Sequence, residues 1–216
     1  MTVTHHPAAD TVAAYVAGSL DEGRSLVIAS HIEMCANCQR WQASLERIGG
    51  ALLVASSPTA MRPNAIQRAF ACLDLPEPAR TSSQGPPVPP ADLPMLPDAA
   101  KAHAIGRWSW IGIGIRHRPV KLFETGGARV FLLKVAPGVQ LPKHTHTGTE
   151  MTLVLSGAFS HAGGRFGPGD IEEADESVDH VPVVEASQAC VCLVAMEGQL
   201  RLLGPFGHLL QPLVRF

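Results

Sequence analysis

The chain lacks any apolar run long enough to cross a membrane. Its longest runs, such as residues 51–55 and 191–195, are far shorter than the roughly 20 residues that a spanning helix requires. Residues 1–7 contain neither a basic segment nor an apolar core, so the sequence predicts no signal peptide. We therefore expect a cytoplasmic protein without a membrane partner.

An excess of basic residues is also lacking. The sequence contains 17 Lys and Arg against 19 Asp and Glu, and its first lysine is Lys101. Proteins that bind DNA need basic surface to neutralise phosphates, so a direct nucleic-acid binder, including a zinc finger, is disfavoured. The cysteine count of 5 is odd, which argues against a disulfide scaffold and fits a reducing compartment.

The middle of the chain has the spacing of a metal site. It reads Gly138, five residues, His144-Thr-His146, three residues, Glu150, six residues, Gly157. Alternate side chains of a β-strand share a face, so His144 and His146 point the same way and Glu150 returns to that face. A fourth ligand must come from another strand, and His180 is the candidate.

Imidazoles with a carboxylate suit Zn, Fe, Mn, Ni or Cu, so ligand type alone does not select the metal. We expect a divalent ion, with Zn²⁺ ahead of Fe, Mn or Ni. Six acids between Asp170 and Asp179 would raise the affinity of a nearby cation, although most such runs are simply solvated faces.

A second candidate metal site lies near the N-terminus, in the pattern His31, three residues, Cys35, two residues, Cys38. On a helix, His31 and Cys35 stack on one face and Cys38 extends it. A tetrahedral zinc site needs one more ligand, which His5 or His6 could supply. We prefer His6, because the following proline can open a helix and hold its neighbour at the helix mouth. The alternative is a redox dithiol, but no βαβ pattern surrounds the cysteines.

Both motifs resemble known families. Gly138 to Gly157 is similar to the first cupin motif at every fixed position, while the second motif is matched by Pro168-Gly169-Asp170 and only loosely by His180. His6 with His31, Cys35 and Cys38 resembles the zinc-binding domain that restrains bacterial extracytoplasmic-function sigma factors. The two motifs occur in one chain in this order, and together they resemble the ChrR family of anti-sigma factors. The resemblance covers nearly the whole chain. The resemblance implies a 1:1 complex with such a sigma factor and its release under oxidative stress, with singlet oxygen or an organic peroxide as the signal.

The predicted fold is multidomain α + β. Helical periodicity over residues 9–19, 20–34, 36–56 and 62–75 predicts a four-helix zinc domain at 1–75. Prolines at 76, 78, 86, 87, 89, 90, 94 and 97 predict an extended linker at 76–99. Short apolar runs divided by glycine predict an antiparallel cupin β-barrel at 100–216.

Two functions remain open from the residues alone. In the regulatory one, the zinc domain masks a sigma factor, the cupin receives the signal, and no catalytic residue is needed. In the enzymatic one, the cupin is a metal-dependent dioxygenase and the zinc domain is a scaffold. The N-terminal domain favours regulation, because a stand-alone enzyme has no evident use for it.

Two further pairs of residues each have two possible roles. Ile66 and Phe70 lie on one helical stripe, which either contacts the partner or faces the domain's own core. Cys190 and Cys192 lie on one predicted strand face, where they either sense oxidation or serve as plain core residues.

Overall fold

The computed structural model describes residues 2–73, 75, 90–124 and 126–203. Most of the predicted linker, residues 76–89, lies outside the described residues, as does the end of the predicted barrel from 204. None of the helices in the described part combines the length and apolar character that a membrane crossing needs.

Of the five helices in the described residues, four lie close to the predicted segments and the short fifth one begins in the predicted linker. They are α1 (Ala9–Val16), α2 (Glu22–Met34), α3 (Ala36–Ala55), α4 (Ala65–Leu73) and the short α5 (Asp98–Lys101). Asp21 caps α2, because its carboxylate accepts from the backbone N–H of Arg24. Cys35 is extended between α2 and α3, and its sulfur accepts from the Cys38 N–H at the start of α3. The local break between the helices therefore uses a candidate zinc ligand as its cap.

The strands of the described residues fall into three antiparallel sheets. They are β1 (Ala104–Ile105), β2 (Ser109–Gly112), β3 (Ile115–Lys121), β4 (Arg129–Val135), β5 (His144–His146), β6 (Glu150–Ser156), β7 (Phe159–His161), β8 (Gly164–Phe166), β9 (Ile171–Ala174), β10 (Val183–Val184), β11 (Cys190–Met196) and β12 (Leu200–Leu202). The largest sheet runs β1-β3-β4-β11-β6-β9 with β2 on β3, and the others are β10-β7-β8 and β12-β5.

The apolar run at 110–115 is divided between two strands. β2 ends at Gly112, and the chain turns before β3 begins at Ile115. Pro119 lies inside β3, where sequence rules place a strand end because proline lacks an N–H. The strand continues because the Pro119 carbonyl still accepts from the Gly106 N–H at 2.9 Å.

Strand β11 is buried on both faces. Its residues Cys190, Cys192, Val194 and Met196 face an inner cluster, whereas Val191, Leu193 and Ala195 face a cluster that includes α2. This alternation follows from the two-residue repeat of a strand. Because α2 covers the outer face, this helix and the large sheet share one hydrophobic core.

Close packing of α2 on the strands depends on Gly23. A methyl group at Gly23 would lie 2.4 Å from the Ala128 carbonyl oxygen, so no larger side chain fits without displacement. Residues 90–99, which the sequence assigns to the linker, also pack here. Leu96 is buried, and the Glu33 carboxylate accepts from the backbone N–H groups of Asp98 and Ala99.

Candidate metal sites

The N-terminal cluster brings four side chains together. His31 is contributed by α2, Cys35 by the break, Cys38 by α3 and His6 by the segment before α1. His31 Nε2 lies 3.3 Å from Cys38 Sγ, and His6 Nδ1 lies 3.4 Å from Cys35 Sγ and 3.6 Å from Cys38 Sγ. A tetrahedral zinc ion holds neighbouring N and S ligands roughly 3.5 Å apart. The spacing of the donor atoms therefore fits zinc.

The protonation states in this cluster also suit a metal. His31 Nδ1 donates to the Gly169 carbonyl at 2.9 Å, which leaves the lone pair of a neutral ring on Nε2, facing Cys38. Burial lowers the pKa of His31 to about 4, so the ring is neutral. Burial raises the pKa of Cys38 to about 12, and the neighbouring Cys35 makes a smaller contribution to this rise. Thiolates here need a compensating cation, which a bound metal supplies.

Of the two N-terminal histidines, the structure brings His6 to the cluster. The His5 ring packs instead on Phe166, with a centroid separation of 4.2 Å, and its Nδ1 lies 3.7 Å from Asp170 Oδ2. Consecutive side chains of this extended segment thus point in different directions. His5 contacts the strands while His6 faces the cysteines.

The second cluster contains His144, His146 and His180, all buried. His144 and His146 lie on β5, and His180 lies opposite His144 through an isolated antiparallel bridge. His144 Nε2 and His180 Nε2 are 2.9 Å apart. A metal holds two adjacent imidazole nitrogens roughly 2.9 to 3.4 Å apart.

The outer hydrogen bonds of these rings fix which nitrogen faces inward. His144 Nδ1 donates to the Pro142 carbonyl at 2.8 Å, and His180 Nδ1 donates to Glu172 Oε1 at 3.1 Å. In neutral rings the two Nε2 lone pairs therefore face each other. Such a pair needs a proton or a metal ion between them, and backbone and carboxylate partners of this kind are typical of metal-ligating histidines.

His146 and Glu150 complete the cluster. Among the described residues, His146 Nδ1 has no hydrogen-bond partner and His146 Nε2 has only an ion-pair contact, which is costly for a buried ring unless a ligand satisfies it. Glu150 Oε2 lies 3.2 Å from His146 Nε2, and Glu150 Oε1 accepts from the Thr152 hydroxyl. Burial alone would raise the pKa of Glu150, but its contacts with His146 and His144 lower it overall. The orphaned imidazole and the ionised carboxylate both fit a bound cation.

Sequence reasoning missed two residues beside this cluster. Glu172 Oε1 lies 2.8 Å from His161 Nε2 as well as 3.1 Å from His180 Nδ1. Burial would lower the pKa of His180, but the hydrogen bond and charge of Glu172 raise it overall. The acidic run at 170–179 was the signal in the sequence that could have found Glu172. Strand alternation turns Glu172 inward and Glu173 to the opposite face, where its carboxylate accepts a hydrogen bond from the Ala8 N–H.

The second cluster opens onto a cavity of 610 Å³. Cys190 and Cys192 line it, as the common strand face predicted, and their sulfurs are 3.6 Å apart. The hydrogen-bonding contact with Cys190, together with burial, raises the pKa of Cys192 well above its usual value. Cys192 is therefore a neutral thiol at physiological pH.

Apolar side chains are exposed on α3 and α4. Ile66 and Phe70 are 60% and 62% exposed, so they do not face a core formed by the described residues. Further exposed apolar side chains on these helices are Ile48, Leu52, Leu53, Val54 and Leu73. We refer to these exposed apolar side chains of the two helices as the α3–α4 surface.

The comparisons with known proteins cover both ends of the chain. The family described as ChrR Cupin-like domain matches residues 98–200. The chain is 37% identical over 220 residues to the anti-sigma-E factor ChrR of Cereibacter sphaeroides, covering 100% of both. It is also similar to the chain in a crystal structure of Rhodobacter sphaeroides SigE in complex with the anti-sigma ChrR, with 34% identity and a TM-score of 0.71 over 91% of this chain and 100% of that one.

Proposed function

This chain belongs to the ChrR family of anti-sigma factors, and on that premise we propose that it binds an extracytoplasmic-function sigma factor as a 1:1 complex and withholds it from core RNA polymerase. The observation that carries the proposal is the full-length similarity, which spans the helices and the strands together. The family is regulatory and not enzymatic, so no catalytic residue is assigned. The dioxygenase alternative is set aside for the same reason.

The α3–α4 surface supports this proposal. Large apolar side chains that stay exposed on two helices favour an interaction site. Phe70 and Ile66 are the central candidates for contact with the sigma factor. The residues at 1–75 are proposed to form a four-helix zinc domain that supplies this surface, with a closed cupin barrel at 100–216, in the cytoplasm. The residues between them, 76–99, are proposed to be a linker whose last part, 90–99, packs against α2.

The N-terminal cluster is proposed to hold a structural Zn²⁺ ion through His6, His31, Cys35 and Cys38. Four such ligands close the coordination sphere, which is typical of structural zinc. The ion links the segment before α1 to α2 and α3. Since short helices bury little apolar area, this link stabilises their mutual arrangement.

The second cluster is proposed to hold a divalent metal, with Zn²⁺ the first candidate, through His144, His146, Glu150 and His180. Such an ion supplies a Lewis-acidic centre in the wall of the cavity. His180 is positioned by Glu172, and His144 by the Pro142 carbonyl. This half of the chain is proposed to sense oxidative stress, with singlet oxygen or an organic peroxide suggested by family resemblance.

The two clusters are proposed to communicate through the turn at residues 167–170. Gly169 accepts from His31 Nδ1, and Asp170 Oδ1 accepts from the Thr4 and His5 N–H groups at 2.6 and 2.9 Å. Two residues later, Glu172 contacts His180. A shift of β9 at the sensor would therefore reach both the His31 ligand and the segment that carries His6.

Co-expression of the full chain with its sigma factor tests the proposal. Light scattering on the purified complex should give the mass of a 1:1 heterodimer. The Cys35→Ser, Cys38→Ser variant should lose the partner, whereas Cys72→Ser, which removes an exposed thiol outside both clusters, should keep it. A wild-type chain that purifies alone contradicts the anti-sigma role.

The sensing half is tested separately. The His144→Ala, Glu150→Ala variant should still bind the sigma factor but should no longer release it when the oxidant is added. Constitutive release by this variant would instead mean that the second site acts as a clamp and not as a sensor.

A further inference from the structure

The wall of the cavity next to the second metal cluster is polar in one patch and apolar elsewhere. Its polar groups are joined into one patch by short contacts, including His144 to His180 at 2.9 Å and Glu150 to Thr152 at 2.9 Å. Glu172 extends the same patch through its contact with His180. Among the described residues, nearly all of the remaining lining is hydrocarbon or aromatic, from residues such as Phe131, Leu133, Val135, Phe159, Val194 and Met196.

The size of the cavity matches a ligand and not a packing defect. Its 610 Å³ lies within the range of roughly 300 to 1,000 Å³ that small-molecule sites occupy. Interiors are otherwise close-packed, so an apolar void of this size is costly when nothing fills it. A single metal ion with its bound water would occupy only the polar patch.

The cavity also has an identifiable mouth. Ile113 belongs to its lining but is 96% exposed, so the turn between β2 and β3 lies at the opening. This turn lies at the far edge of the large sheet from β9, which carries Glu172. A ligand entering past Ile113 therefore meets apolar wall before it reaches the polar patch.

We propose that this cavity binds an aliphatic molecule with one oxygen-bearing head group, the hydrocarbon tail lying along the apolar wall and the head at the His144–His180 patch. The inference deepens the proposed sensing function and rests on it for its biological meaning. Ligand entry places an organic molecule against the wall that carries Cys190 and Cys192. The second site thereby responds to hydrocarbon-tailed compounds in preference to small polar ones.

The test uses straight-chain carboxylic acids from hexanoic to dodecanoic acid, titrated calorimetrically into the zinc-loaded full chain. The Kd should tighten by up to about fourfold for each added CH₂ group until the tail outgrows the cavity. Binding is measured on the free chain without a sigma factor. A failure here is therefore distinguishable from a failure of the anti-sigma role.

A matched pair of variants on one strand locates the site. Val184 lines the cavity, whereas its neighbour Val183 is on the opposite face and partly exposed. Val184→Phe should shorten the best-bound acid or abolish binding, while Val183→Phe should leave the series unchanged. If Val184→Phe does not fold, the dependence of the wild-type Kd on the chain length of the acid still tests the proposal. Absence of saturable binding, a Kd independent of chain length, or equal effects of the two variants would overturn the proposal.

Discussion

Replacing Asp170 by Asn should weaken the attachment of the N-terminal segment and, through it, the N-terminal zinc site. The Asp170 carboxylate is buried, with Oδ1 accepting from the Thr4 and His5 N–H groups and Oδ2 from the Gly167 N–H at 2.8 Å. Burial would raise the pKa of this carboxyl group, but these hydrogen bonds, led by that of Gly167, lower it overall. The group is therefore a fixed anion at neutral pH.

The size of the effect follows from these contacts. An asparagine amide can keep its oxygen toward Thr4 and His5, but its NH₂ group then faces the Gly167 N–H, which loses its acceptor. One orphaned donor and the lost charge on the other bonds together cost about 2–4 kcal/mol. His6 follows the segment that is released, so we expect zinc affinity to fall by roughly 10- to 100-fold, equivalent to about 1.4–2.8 kcal/mol.

Urea unfolding of the full chain measures the first effect. Zinc transfer to a chromogenic chelator measures the second, with His144→Ala and Glu150→Ala in the background so that the released zinc comes from the N-terminal site. Glu176→Gln is the matched control, because Glu176 belongs to the same acidic run but its side chain is exposed and lies outside both clusters. The control should not differ measurably from wild type. If Asp170→Asn unfolds and releases zinc as the wild type does, the coupling through residues 167–170 is refuted.

Three further outcomes are expected. Glu172→Gln should lower metal affinity at the second site by roughly 10- to 100-fold in a competition assay, because it weakens the bond that orients His180, and unchanged affinity would contradict this positioning role. Phe70→Ser should weaken sigma binding by about 1–3 kcal/mol in calorimetry without changing the urea midpoint, since Phe70 is 62% exposed, and full affinity would move the interface elsewhere. Partial burial alone would raise the carboxyl pKa values of Asp21 and Glu22, but backbone hydrogen bonds lower them overall. The free energy that these two carboxylates add to folding is therefore complete above the unfolded pKa of about 4 and is lost as the pH falls through the lower folded values. Urea midpoints flat down to pH 3 would contradict that last expectation.

Much of the account was predictable from local spacing. The ChrR-family resemblance is confirmed, as are a cupin-like fold with antiparallel sheets and N-terminal helices. These features succeed because ligand spacing and strand alternation are properties of neighbouring residues. The roles of the individual ligands stay proposals, although the structure brings together the histidines and cysteines that the spacing singled out.

The features that could not be predicted from the sequence depend on contacts between residues that are distant along the chain. The packing of α2 on the large sheet requires knowing that Gly23 meets Ala128, and no periodicity encodes that pairing. The contact between His161 and Glu172 likewise joins separate strands. Residues 90–99 read as linker from their prolines, yet Leu96 packs into the common core. Proline content predicts backbone conformation but says nothing about burial.

Transcription by core RNA polymerase and the purified sigma factor, with increasing amounts of the full chain, tests the central claim most directly. The account predicts that transcription from a promoter of that sigma factor stops near one equivalent of wild-type chain and continues with the Cys35→Ser, Cys38→Ser variant. Transcription that persists in the presence of excess wild-type, zinc-loaded chain would contradict it.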